Sequence, residues 1–172
     1  MNRRAALASV LGGWALGTLF MWVVATQNFA TVERILGAQP DAVESISAPL
    51  EEGELREILR YQASELNRLY FDRWGLAQLP LALLAVVLAW SLGRRLRVAV
   101  LLIALIACGL QFYVVPETIR IGRQIDFQPR EPSTPLQDQF WQLHHTYTGL
   151  DMLKFLTLVG CSIAVVRERD GT

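Results

Sequence analysis

Two histidines, an acid and a base fall within the fifteen residues Phe140 to Lys154, FWQLHHTYTGLDMLK. Imidazole and carboxylate groups can carry protons, and a neutral imidazole ligates copper or haem iron. At helical spacing His144, Tyr147, Thr148, Asp151, Lys154 and Phe155 share one face, with His145 turned away by about 100°. Asp151 and Lys154 are three residues apart and can pair directly, which lowers the cost of placing either charge at depth in lipid. Three uses of this face are open. His144, Asp151 and Lys154 can bond to neighbouring helices, with Lys154 snorkelling toward the headgroups. They can form a ligand or proton-handling site together with Glu117, Arg120 and Arg123, with Gln111, and with Gln27, Asn28, Glu33 and Arg34. Alternatively, His144 or His145 can hold haem or copper. These are the only two histidines in the chain, no methionine cluster accompanies them, and no second ligand stands out.

Four apolar blocks must position these groups. The chain has 172 residues, of which 52% are hydrophobic and 19% charged. That excess is gathered into blocks at about 5–25, 74–92, 98–115 and 147–166 rather than spread at amphipathic spacing. A block of about twenty residues rises about 30 Å as a helix and crosses a bilayer. The expected fold is therefore all-α: a single membrane domain, a bundle of four transmembrane helices, with outer segments at 26–73 and 116–146. The first block could instead be a secretory signal, since Asn2-Arg3-Arg4 precedes it and Val23-Val24-Ala25 could be cleaved. Its length, and Gly12, Gly13 and Gly17, suit a packed membrane helix better. About five residues separate the second and third blocks, which forces an antiparallel hairpin.

Arginine marks the orientation. Arg3, Arg4, Arg94, Arg95, Arg97, Arg167 and Arg169 fall on one side of the four blocks, so both termini are expected in the cytoplasm of a bacterial inner membrane. In the longer segment 50–73, Leu55, Ile58, Leu59, Leu66, Leu69 and Tyr70 lie near one helical face. This predicts an extramembrane amphipathic helix, with Pro49 in its first turn and Glu51, Glu52 and Glu54 at the positive end of its dipole. It would rest on the bundle or dock a partner. Residues 129–135 (PREPSTP) break the chain, and Thr134-Pro135-Leu136-Gln137 reads as a capping box from which one helix runs into the fourth block. Phe112, Tyr113, Phe140, Trp141 and Tyr147 suit an interfacial belt.

Several classes of function are disfavoured. Sixteen basic and sixteen acidic residues give zero net charge, and no basic, aromatic-interleaved surface suggests nucleic acid. Cys108 and Cys161 lie inside apolar blocks, far apart and without CxxC spacing, as small hydrophobes would. No GxSxG, HExxH, phosphate-binding or dinucleotide-binding motif occurs, so no catalytic residue is assigned and a membrane-embedded enzyme is the least favoured of the open readings.

Gly12-Gly13-Trp14-Ala15-Leu16-Gly17-Thr18-Leu19-Phe20, Val114-Val115-Pro116-Glu117 running on to Arg120, Phe140-x-x-Leu143-His144 and Leu150-Asp151 together resemble bacterial four-helix membrane proteins of unknown function related to eukaryotic small TMEM proteins. Those proteins usually have Ser and Asn where this chain has Tyr147 and Asp151. The resemblance implies a fold and a membrane location, and lends no catalytic residues. The Trp14-Ala15-Leu16-Gly17 region and His144 are more distantly similar to the copper-resistance protein D and HemJ-like bundles, in which several histidines lie within the spans. The expectation is an accessory or assembly subunit of a membrane complex, or a homo-oligomer, that needs no cofactor. The alternative is a small transporter or a haem- or metal-handling bundle, its outward-facing site built from His144, Asp151, Lys154, Glu117 and Arg120.

Overall fold

The computed structural model of the protein describes residues 2–38, 41–51, 53–129 and 131–170. Glu52 and Arg130, counted above, lie outside the described residues, and so do the side chains of Glu168 and Arg169. Among the described residues the fold is all-helical: α1 (Arg3–Gly37), a short α2 (Asp41–Ser47), α3 (Glu54–Ala89), α4 (Arg94–Gly109), a π-helical turn at Leu110–Val114, α5 (Val115–Ile125) and α6 (Pro135–Asp170). Among the described residues four helices are long and apolar enough to cross a membrane, counting α4, the π turn and α5 as one continuous rod.

The rods alternate in direction. α1 packs on α3 and α6, and α4 packs on the same two, so the ring order is α1, α3, α4, α6. The Arg3 guanidinium donates to the Ser91 hydroxyl at 2.9 Å, and Ser162 Oγ to the Ala8 carbonyl at 3.3 Å. The start of α1, the last turns of α6 and the α3–α4 turn therefore meet at one end, the terminal end. Arg3, Arg4, Arg94, Arg95, Arg97 and Arg167 gather there. The turn closes on Gly93, whose φ of +134° excludes most side chains.

The core is a stripe from each rod. Leu7, Leu11, Trp14 and Ala15 of α1 meet Ala82, Ala85 and Ala89 of α3, Val100, Ile103 and Ala107 of α4, and Leu158, Cys161 and Val165 of α6. Alanines on α3 let it approach closely. The opposite faces are equally apolar: Leu16 is 68% exposed, Leu83 68% and Leu105 66%. In water such faces would have to be covered, whereas in hydrocarbon they cost nothing.

Gly17 is the small residue that the packing requires on α1. A Cβ there would come within 2.2 Å of the Trp74 ring. Gly13 has nothing within 4 Å and Gly12 only an ordinary contact with Ser162, so the expectation of close packing along all three glycines holds at Gly17 alone.

Two boundaries differ from the sequence expectation. The amphipathic stretch and the second span are one helix, capped by Gly53 rather than begun at Pro49, because nothing between Glu54 and Trp74 breaks the helical hydrogen bonds. Ile58, Leu69 and Tyr70 on its apolar side stay exposed. The third span does not end at Pro116. The Val115 N–H reaches back to the Leu110 carbonyl, and this wider turn leads into α5 with Pro116 in its first turn, where a missing N–H costs little. The capping box forms as expected: the Thr134 N–H donates to Gln137 Oε1 at 2.8 Å and the Gln137 N–H to Thr134 Oγ1 at 3.3 Å.

Candidate functional site

Halfway along the bundle, five polar groups that hydrocarbon cannot solvate satisfy one another. Lys154 is fully buried and Asp151 1% exposed. Lys154 Nζ donates to Asp151 Oδ1 at 2.5 Å and to Gln78 Oε1, which also accepts from the Trp14 indole N–H at 2.9 Å. The Trp22 indole N–H donates to Asp151 Oδ2 at 2.7 Å. The chain Trp14–Gln78–Lys154–Asp151–Trp22 thus ties α1, α3 and α6 together with no net charge. A buried pair in low dielectric requires such neighbours, since each ion loses its hydration.

Lys154 does not snorkel. Asp151 and Gln78 hold its ammonium inside the bundle, where leaving would strand both of these indole-bonded partners. Sequence reading assigns no role to Gln78, Trp14 or Trp22. A signal existed: a glutamine inside an apolar block, and indole N–H groups in lipid, each demand a partner.

Beyond this network, on the side away from the terminal end, the rods part around a pocket of about 450 Å³. Trp22 forms its base with Phe71, Val115 and Met152, and Ser64, Asn67, Arg68, Thr118, Phe140 and His144 line the part nearer the loop end. The α1 and α6 residues Thr26, Phe29, His144, Thr148 and Met152 are exposed, whereas the α3 and α5 residues are half-buried or buried. The mouth therefore lies between α1 and α6, and α3 and α5 make the back wall. Tyr147 packs edge-on against Phe71 with ring centroids 5.3 Å apart, and among the described residues its hydroxyl has no hydrogen-bond partner.

The charge at the back wall is already matched. The Arg68 guanidinium grips Asp126 through two bonds of 2.6 and 2.7 Å and reaches Glu65 at 2.6 Å. Arg123 adds two 3.0 Å bonds to Glu65. Arg123 first, then Arg68, hold the Glu65 carboxyl at about 2, well below its ordinary 4.5. Asn67 bridges to α1, accepting from Asn28 at 2.5 Å and donating to the Ala25 carbonyl at 3.2 Å. Gln111 lies against Gly75, which admits it because a Cβ there would overlap the amide, and donates to Asp72 at 3.4 Å.

The five residues assigned to an outward-facing site are thus placed apart. Asp151 and Lys154 are in the buried network. Glu117 and Arg120 grip each other through bonds of 2.6 and 2.8 Å on the exposed side of α5. His144 lines the pocket, stacked beside Phe140 and edge-on to Trp141. Of the remaining candidates, Glu33 pairs with Arg56 and Arg60, and Gln27 and Arg34 are exposed on α1.

His144 and His145 are neighbours on one exposed turn, and among the described residues no three His, Cys, Asp or Glu side chains converge, so no multi-ligand copper site is assembled there. No protein family, curated protein or solved structure matches the chain. The site must be read from its own geometry.

Proposed function

We propose that this is a non-enzymatic protein of a bacterial inner membrane that holds a small membrane-derived molecule in the pocket between its four helices. The supporting observation is the pocket itself. All four rods contribute to its wall, its mouth faces where lipid would lie, and its volume falls within the roughly 300–1,000 Å³ of small-molecule sites. The arginines at the terminal end favour a cytoplasmic location for both termini. The pocket then faces the outer leaflet, and the polar ends of α1, α3, α5 and α6 stand outside the hydrocarbon. Below the pocket, the Asp151–Lys154 network serves as a rigid plug rather than a reacting centre.

Native mass spectrometry of the protein released from lipid nanodiscs tests this reading. The wild type should retain a bound small molecule. Ala25→Trp, which fills the pocket, should release it, and Leu83→Trp on the outer face of α3 should not. Equal retention by all three proteins would mean that the pocket is not the site.

A second reading, assembly as a homo-oligomer or an accessory subunit, is favoured by one feature. Gly160 and Ala164 are four apart and exposed on α6, giving a neighbouring helix a place to approach. Gly160→Leu should then dissociate an assembly seen by light scattering in mild detergent; an unchanged mass would remove this reading.

A further inference from the structure

Resting on the pocket reading above, we infer that the occupant is an uncharged, single-chain amphiphile whose hydroxyl-bearing head lies toward the loop end and whose chain leaves between α1 and α6. Three observations carry this.

The first is a gradient along the pocket. The base, at Trp22, Phe71, Val115 and Met152, is apolar, with the Trp22 N–H already engaged by Asp151. Nearer the loop end come the Ser64 hydroxyl, the Asn67 amide and the His144 imidazole, with the Tyr147 hydroxyl between the two tiers. A molecule with one polar end and one apolar end matches that order. A uniformly polar solute would leave the base unfilled, and a pure hydrocarbon would bury hydroxyls without partners.

The second is charge. Among the described residues lining the pocket, Arg68 is the one permanently charged side chain, and three of its N–H groups are taken by Asp126 and Glu65. Two arginines, Arg68 and Arg123, stand against two carboxylates, Glu65 and Asp126, so this cluster is neutral. At the base, Asp151 and Lys154 cancel as well. Among the described residues at the pocket, an anionic head would find no cation that is not already matched and a cationic head no unmatched carboxylate, and either would lose its hydration without return. Neutral donors and acceptors remain: the hydroxyls of Tyr147 and Ser64, which have no hydrogen-bond partner among the described residues, and the His144 ring.

The third is shape. The mouth lies along the α1–α6 side, where Thr26, Phe29, Thr148 and Met152 are exposed beside the lipid-facing surfaces of both helices. A chain leaving there enters hydrocarbon directly.

The experiment uses wild-type protein in nanodiscs and three photoreactive probes sharing one diazirine-bearing acyl chain: a monoacylglycerol, the matching lysophosphatidic acid and the free fatty acid. After irradiation, peptide mapping reads the adducts. The monoacylglycerol should label α1 and α6 residues at the mouth, and the two anionic probes should do so about tenfold less or weaker still, the cost of burying an uncompensated charge. Excess unlabelled monoacylglycerol should suppress the signal in the wild type, a readout that does not rely on a variant folding. Pocket labelling by an anionic probe as strong as by the monoacylglycerol would overturn the neutral-head inference while leaving a lipid-binding pocket. Labelling of the outer helix faces alone, by every probe, would overturn both.

Discussion

The Trp22 indole N–H donates to Asp151 Oδ2 at 2.7 Å while the same ring forms the base of the pocket. One side chain therefore joins the buried ionic network of the mid-bundle to the cavity above it. It also packs on Phe155 with centroids 5.0 Å apart, which fixes the ring from the α6 side. Trp22→Phe keeps the aromatic body but leaves a buried carboxylate oxygen short of a donor. The expected loss is about 1–3 kcal/mol, read as a lower unfolding midpoint in detergent, together with weakened retention of the bound molecule. Unchanged stability and retention would show that the link carries nothing.

The Asp151–Lys154 pair should behave as a structural plug. Lys154→Met leaves Asp151 buried opposite no cation and should destabilise the bundle by about 3–5 kcal/mol. Restoring neutrality with Asp151→Leu in the same chain should recover most of that loss, because an apolar pair suits the site. If the double variant is no better than the single one, the lysine has a role beyond matching the carboxylate.

Gly17→Ala should be the most costly of the first-span glycine substitutions. The added methyl meets the rigid Trp74 ring, so overpacking of about 1–3 kcal/mol is expected, whereas Gly13→Ala, with open space at its Cβ, should be neutral or slightly stabilising. Thermal unfolding of the two variants side by side decides it; equal behaviour would contradict the packing of α1 on α3.

Arg68→Gln should open the back wall of the pocket. Asp126 and Glu65 lose their shared partner, and retention of the bound molecule should fall even though Arg68 need not touch its charge. The pH dependence has a defined sign. The Glu65 carboxyl is held at about 2 in the folded protein against an ordinary 4.5. Its contribution is therefore complete above 4.5 and is lost as pH falls from there toward 2. In Arg68→Gln this acid-side loss should shrink, as measured by unfolding midpoints at stepped pH; an identical profile would deny the ion pair any weight.

Much of the architecture was legible because lipid imposes it. A block of some twenty apolar residues has few options but a spanning helix, and the Thr134–Gln137 box marks the start of α6 by its own hydrogen bonds. The pairing of Asp151 with Lys154 followed from their spacing. What the sequence withheld was which rods face each other. Gln78 and Trp14, 64 residues apart, meet only once α3 lies against α1, so the network's polar partners could not be named. Pro116 misled for a local reason: it follows the π turn in the first turn of α5, where its missing N–H costs little. Glu117 and Arg120 looked like site residues because they stand near the end of a span, yet at three-residue spacing they satisfy each other first.

In the proposed reading the pocket opens to hydrocarbon between α1 and α6, and Met152, exposed at the deep end of the mouth, reports on it. With Cys108 and Cys161 replaced by serine and alanine, a nitroxide attached at Met152→Cys in reconstituted bilayers can be relaxed by oxygen, which concentrates in lipid, or by a water-soluble nickel chelate. Strong relaxation by oxygen and little by nickel is expected, with oxygen access reduced when the pocket is occupied by monoacylglycerol. Relaxation by the nickel chelate as strong as by oxygen would place that mouth in water and contradict the account.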